Sequence, residues 1–187
     1  MKNKFGFILV NPQLGENIGA SARSLKNFGF SKLHIVSPKL PWPNNKAKAT
    51  SVGAYDIIKR AKVFNNTYDA IKDFNIVVSF SARKRDINKR HISINEFLKI
   101  IKSKKKTKFG LMFGPEASGL SNDDLSLSNF VLQIPTSKKF KSLNLSHSIT
   151  VICYEIFKLT NLNKFHKDIK NIKISSKSKI SSLVFHL

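Results

Sequence analysis

The sequence predicts an α/β layer fold, a parallel sheet flanked by helices, and three observations carry that prediction. Short apolar runs alternate with segments of helical period along most of the chain, the pattern of strand-helix-strand crossovers. The chain has 187 residues, 41% hydrophobic and 24% charged, enough to bury a substantial core as one domain. No apolar run approaches the roughly 20 residues that span a bilayer.

Phe5 to Val10 reads as a buried strand. Ile18 to Phe28 reads as a helix with Asn17 as its N-cap. Leu33 to Val36 is a second strand, after which Pro38, Pro41 and Pro43 force a loop carrying the only tryptophan, Trp42. Ala47 to Ala61 has helical spacing, with Val52, Ile57 and Ile58 as its apolar positions. Val63 and Phe64 form a short strand, Tyr68 to Phe74 a short helix, and Asn75 to Phe80 another strand. Ile94 to Ile101 is a helix, and Phe109 to Phe113 a strand running into a glycine-bracketed turn. Ser121 or Asn122 caps a short helix containing Asp123 and Asp124. Phe130 to Ile134 is the last strand, and a helix from about Asn144 to Leu159 closes a domain of residues 1–159. The lysine-dotted tail, 160–187, keeps enough apolar residues (Ile169, Ile172, Leu183, Phe185) to form a helix packed on the domain or on a second copy, with a frayed end as the other option.

Composition excludes several function classes. The apolar stretch after Met1-Lys2-Asn3-Lys4 is too short for a signal-peptide core. The single cysteine, Cys153, forms no internal bridge, and no Cys/His cluster has zinc-ligand spacing. The histidines (His34, His91, His147, His166, His186) show no H-x-x-x-H pairing. Neither G-x-G-x-x-G nor the P-loop pattern occurs. A cytoplasmic protein with no metal and no membrane segment is the economical expectation. The formal net charge of +22 points to a polyanionic partner, because clustered Lys and Arg release counterions from a phosphate backbone. Only five of the 33 basic residues are Arg, and Asn and Ile abound, so an A/T-rich coding bias accounts for part of that excess.

Three segments carry chemistry. The first is Asn17-Ile18-Gly19-Ala20-Ser21-Ala22-Arg23. The second is Phe113-Gly114-Pro115-Glu116-Ala117-Ser118-Gly119-Leu120. The third is Ile134-Pro135 with Ser142-Leu143-Asn144-Leu145-Ser146. Gly114 and Gly119 bracket a turn at the C-terminal end of a strand, the edge where parallel sheets bind ligands, although a plain strand-to-helix turn has the same look. Ser142 is equally a good helix N-cap, and Arg23 alone reads as a solvated arginine.

Together and in this order, the segments resemble the signature motifs of the SpoU branch of the SPOUT RNA 2′-O-methyltransferases. Within it they are most similar to the tRNA cytidine/uridine enzymes. The resemblance covers roughly residues 5–159. It implies a SPOUT fold with a C-terminal deep trefoil knot, S-adenosyl-L-methionine as cofactor, tRNA as partner and a homodimer with active sites at the subunit interface. The implied reaction is methyl transfer to a ribose 2′-hydroxyl of cytidine or uridine in the anticodon loop, at position 32. The sulfonium already carries an activated methyl, so no metal is implied. The cofactor wall falls on Phe80, Ser81, Ala82, Gly114, Ile134, Ser142, Leu143 and Asn144. Arg23 and Ser142 take catalytic positions, and Asn17 and Arg23 face substrate. Apart from the resemblance, the basic run Arg83-Lys84-Arg85, with Lys89, Arg90 and His91, follows the expected cofactor wall, so Arg83 and Arg85 are expected to bind substrate phosphate, whereas the run Lys102 to Lys108 reads as a solvated face. A guanidinium binds a phosphate bidentately and stabilises a developing alkoxide, and because it stays protonated its role is orientation and electrostatics before proton abstraction. Glu116 is expected to accept backbone hydrogens in a structural role. Phe80 and Pro115 depart from residues common in relatives. Alternatives are another tRNA position, rRNA, or a silent RNA-binding or ribosome-assembly protein.

Overall fold

A computed structural model describes residues 2–83 and 88–165. Seven strands form one parallel sheet: β1 (Phe5–Val10), β2 (Leu33–Val36), β3 (Lys62–Phe64), β4 (Ile76–Phe80), β5 (His91–Ile92), β6 (Phe109–Phe113) and β7 (Phe130–Leu132). Their order is β3-β2-β1-β6-β4-β7-β5, with β1, β6 and β4 at its centre. The connecting helices are α1 (Gly15–Asn27), α2 (Asn45–Thr50), α3 (Tyr55–Lys59), α4 (Thr67–Ile71), α5 (Ile94–Ser103), α6 (Asn122–Ser126) and α7 (Leu145–Phe165). None of the helices among the described residues is long and apolar enough to cross a membrane.

Strand periodicity sorts the side chains into two cores. Phe5, Phe7 and Leu9 of β1 pack with Phe109, Leu111 and Phe113 of β6 beneath α1, α2, α3, α5 and α7. Ile8 and Val10 point the other way, joining Met112, Val131, Ala70 and Leu125 beneath α4 and α6. Register sets the aromatic contacts: Phe5 lies opposite Phe109 and stacks on it at 5.5 Å, and Phe80 lies opposite Phe113 and stacks on it at 4.5 Å. Each fully buried phenylalanine contributes roughly 1.5–3 kcal/mol. Cys153 is fully buried on α7, where burial pushes its thiol pKa well up, and it is a core residue.

Several expectations need correction. The helix expected over Ala47–Ala61 is two helices, because Gly53 adopts φ +72° between them and breaks the period. Val52, expected to be buried, sits in that break 66% exposed. Helix α1 begins two residues before Asn17, which lies inside its first turn; the N-cap is Leu14, which offers no capping side chain. The strand expected to reach Ile134 ends at Leu132, and α7 runs past Leu159 to Phe165. Strand β5 has two residues, too few to show a period. The rest of the 160–187 tail lies outside the described residues.

His34 on β2 is 5% exposed, with Nδ1 2.8 Å from the Ala70 carbonyl oxygen and its ring against Phe64 and Phe74. Burial holds its pKa below the ordinary value, with Lys32 and Lys62 adding to the effect and the Ala70 bond opposing it. The unfolded chain therefore takes up this proton first, and stability is lost as pH falls through the ordinary value of about 6.5. Denaturant midpoints are expected to fall between about pH 7.5 and 5.5, with a shallower slope in His34→Gln.

Candidate active site at the carboxyl edge of the sheet

A cavity of about 610 Å³ opens where β4, β6 and β7 end. This is the edge at which parallel α/β sheets hold ligands. The stacked rings of Phe80 and Phe113, 4° from parallel, form its floor. Ser81, Ala82 and Arg83 make one wall after β4, and residues 114–119 make a second after β6. Gln133, Ile134, Lys141, Ser142 and Leu143, from the segment between β7 and α7, make the third. Seven of the expected cofactor positions thus meet around one space: Phe80, Ser81, Ala82, Gly114, Ile134, Ser142 and Leu143.

Asn144 is not among the lining residues. Its Oδ1 accepts from the Ser146 amide at 2.9 Å and the Ser146 hydroxyl at 2.7 Å, capping α7 in the place expected of Ser142. Its Nδ2 donates to Asn17 Oδ1 at 2.9 Å. Asn17 in turn donates from Nδ2 to Glu116 Oε1 at 2.7 Å. Glu116 Oε2 accepts from the Gln13 amide at 2.9 Å, and Oε1 lies 3.4 Å from the Leu14 amide. One chain of hydrogen bonds, Glu116–Asn17–Asn144, therefore joins all three segments. Glu116 accepts backbone hydrogens as expected, but from the start of α1 in place of its own loop. It gives that helix a carboxylate that Leu14 lacks, placed where the helix dipole favours negative charge.

At Gly114 the chain folds back closely on residues 119–120. A Cβ there would overlap the main chain of Gly119 and Leu120, which no side-chain rotation relieves. Arg83 reaches across the mouth, its Nη2 3.4 Å from the Ala117 carbonyl oxygen. Arg85 lies outside the described residues. Lys89, in the same basic run, donates to the Ser128 carbonyl at 2.9 Å. Arg90 lies 3.8 Å from Glu96 and over the Phe130 ring. The five lysines of Lys102 to Lys108 run from the last turn of α5 to the residue before β6, at the edge opposite the cavity.

Arg23 stands apart from this cavity. It is exposed on α1, is absent from the lining, and makes no hydrogen bond or ion pair among the described residues.

Gln13 and Gln133 escaped sequence reasoning. Gln13 Oε1 accepts from the Ala117 amide at 3.0 Å, clamping the second segment from the end of β1. Gln133 Nε2 donates to the Ala82 carbonyl at 3.3 Å, tying two walls together. The available signal was position, since Gln13 lies three residues beyond the end of β1 and Gln133 directly follows β7.

Residues 4–154 match the SpoU rRNA methylase family model. The chain is 38% identical over 165 residues to the tRNA (cytidine-2′-O-)-methyltransferase TrmJ of Methanocaldococcus jannaschii, covering 84% of this chain and 69% of that protein. The crystal structure of TrmJ from Z. mobilis ZM4 superposes with a TM-score of 0.78 at 31% identity, covering 97% of this chain and 76% of that one. The fold also matches the SpoU methyltransferase AviRb from Streptomyces viridochromogenes, solved in complex with AdoMet, with a TM-score of 0.67 at 19% identity, covering 83% and 57% of the two chains. The chain spans 69% of the length of the Methanocaldococcus jannaschii relative and 61% of the length of the TrmJ of Sodalis glossinidius.

Proposed function

The chain belongs to the SpoU methylase family, and from that membership we propose that it transfers a methyl group from S-adenosyl-L-methionine to a ribose 2′-hydroxyl of tRNA, at a cytidine or uridine of the anticodon loop. What supports the reading is the convergence of three widely separated stretches, 80–83, 113–119 and 133–143, on one cavity, with the second joined through Glu116, and the third through the adjoining Asn144, to Asn17 on α1. The cavity suits the cofactor: an aromatic floor for a flat base, main chain along residues 114–119, and a glycine at 114 that lets residues 119–120 fold back against it to shape that wall. Phe80, Ser81, Ala82, Gly114, Ile134, Ser142 and Leu143 would hold it, and the bound cofactor supplies the activated methyl. The family's trefoil knot, formed by the segments after β6 and β7, belongs to the same proposal.

Arg23 holds the phosphate beside the target ribose and stabilises the negative charge that develops on the 2′-oxygen. Ser142 hydrogen-bonds the substrate at the rim. Arg23 is exposed and does not line its own cavity, so the reading includes a homodimer in which α1 of one copy brings Arg23 to the cavity of the other. Half-exposed Tyr154 and Leu14 on the α7 and α1 side suit that contact.

The test is transfer of labelled methyl to unmodified tRNA and rRNA, with the product mapped by nuclease digestion and mass spectrometry. A 2′-O-methyl mark at one anticodon-loop pyrimidine is expected; a mark elsewhere keeps the chemistry and changes the substrate. Gly114→Ala is expected to weaken S-adenosylmethionine binding by about tenfold or more and to lower stability by about 1–3 kcal/mol, read by calorimetry and denaturant unfolding. Arg83→Ala is expected to weaken RNA binding and to reduce the salt slope by about one. An unchanged slope would remove Arg83 from the interface.

A further inference from the structure

The rim of the cavity carries an aromatic residue that neither the fold nor the reaction described above employs. Phe140 is 76% exposed, more than any other large hydrophobic residue among those described. It lies on the segment between β7 and α7, two residues before Ser142, and its ring has no aromatic partner among the described residues. Lys138 and Lys139 precede it and Lys141 follows, all exposed and none in an ion pair among the described residues. No acidic residue occurs between Asp124 and Glu155, so this stretch has no charge to pair with its own lysines. Lys141, Ser142 and Leu143 line the cavity itself.

Resting on the tRNA methyltransferase reading, we propose that Phe140 is a base-stacking platform for a nucleotide beside the target, with Lys138, Lys139 and Lys141 holding the flanking phosphates. An exposed ring between cations matches an unstacked single-stranded nucleotide: every base offers a flat face to the ring, and its phosphates meet the lysines. With Ser142 at the target, the two residues of chain that separate it from Phe140 span at most about 7 Å, which assigns the stacked base to a nucleotide close to the target. That contact separates looped RNA from duplex, because a stacked base pair cannot offer its face to the ring.

Phe140→Ala, Phe140→Leu and Phe140→Trp distinguish stacking from mere apolar filling. Ala and Leu are expected to raise the tRNA Kd and KM by about tenfold, with kcat within about twofold, while Trp binds as the original does. An RNA anticodon loop carrying 2-aminopurine beside the target is expected to lose fluorescence on binding the original chain and the Trp variant, and to keep it with Ala and Leu. S-adenosylmethionine affinity and oligomeric state, measured in parallel, are expected to stay constant. Leu binding RNA as tightly as Phe would overturn the proposal. So would a change of oligomeric state in Ala, which would place the ring in a protein–protein contact. Absence of methyl transfer by the original chain would count against the reaction alone, because the binding and fluorescence readings still decide on Phe140.

Discussion

Arg23→Ala is expected to lower methyl transfer to RNA by about 10²–10³-fold or more, the scale on which a lost transition-state donor registers. S-adenosylmethionine binding and the fold are expected to persist. The side chain is exposed and makes no hydrogen bond or ion pair among the described residues, so truncation leaves no buried group without a partner. Such surface changes alter stability by about 0.5 kcal/mol or less. Arg23→Lys keeps the charge but loses the planar fork that grips phosphate bidentately, and recovers little activity. Mixing Arg23→Ala with Gly114→Ala copies tests the reach of the arginine. If it serves the second copy's cavity, a mixed dimer regains one complete site and activity returns. If it serves its own, the mixture stays inactive, as would a protein that remains monomeric at micromolar concentration.

Glu116→Ala is expected to damage stability and cofactor binding together. Its carboxylate takes hydrogens from the Gln13 amide and from Asn17 Nδ2, with the Leu14 amide at a longer distance, and Leu14 supplies no capping side chain to replace it. Hydrogen bonds to a charged group contribute about 1.5–3 kcal/mol each, and the rim position discounts that, so a loss of about 2 kcal/mol is expected in urea unfolding. Glu116→Gln preserves the shape but turns an amide donor toward donors, and is expected to lie nearer Ala than the original. A variant with unchanged stability and unchanged S-adenosylmethionine affinity would show that the network is incidental.

The parts legible in the sequence share a physical basis. Strands β1, β2 and β6 match their expected bounds because they are buried on both faces, which makes them continuous apolar runs with abrupt ends. The break at Gly53 was hidden because helical spacing continues across it; a positive φ leaves no mark on apolar period. The wall after β6 was legible because Gly114 and Gly119 mark it, and the walls after β4 and β7 were legible only through the resemblance to the SpoU motifs. The bonds between those walls were not, since Glu116 meets Gln13 across 103 residues and Asn144 meets Asn17 across 127. Local pattern cannot announce a partner that far away. The basic run after β4 divided for a similar reason: Lys89 and Arg90 found a carbonyl, a carboxylate and a ring that only the folded chain supplies.

Asn17 and Arg23 share one helix of 13 residues. Asn17 is fastened through Glu116 to the loop after β6 of its own chain, while in the proposed dimer Arg23 serves the opposite cavity. A rigid rod pinned at one end and working at the other behaves as a lever. In that dimer, whatever shifts the loop on one side would shift the phosphate grip on the other, and by thermodynamic reciprocity RNA held on one side would retune cofactor affinity across it. The two halves of such an enzyme would then turn over in conversation with each other.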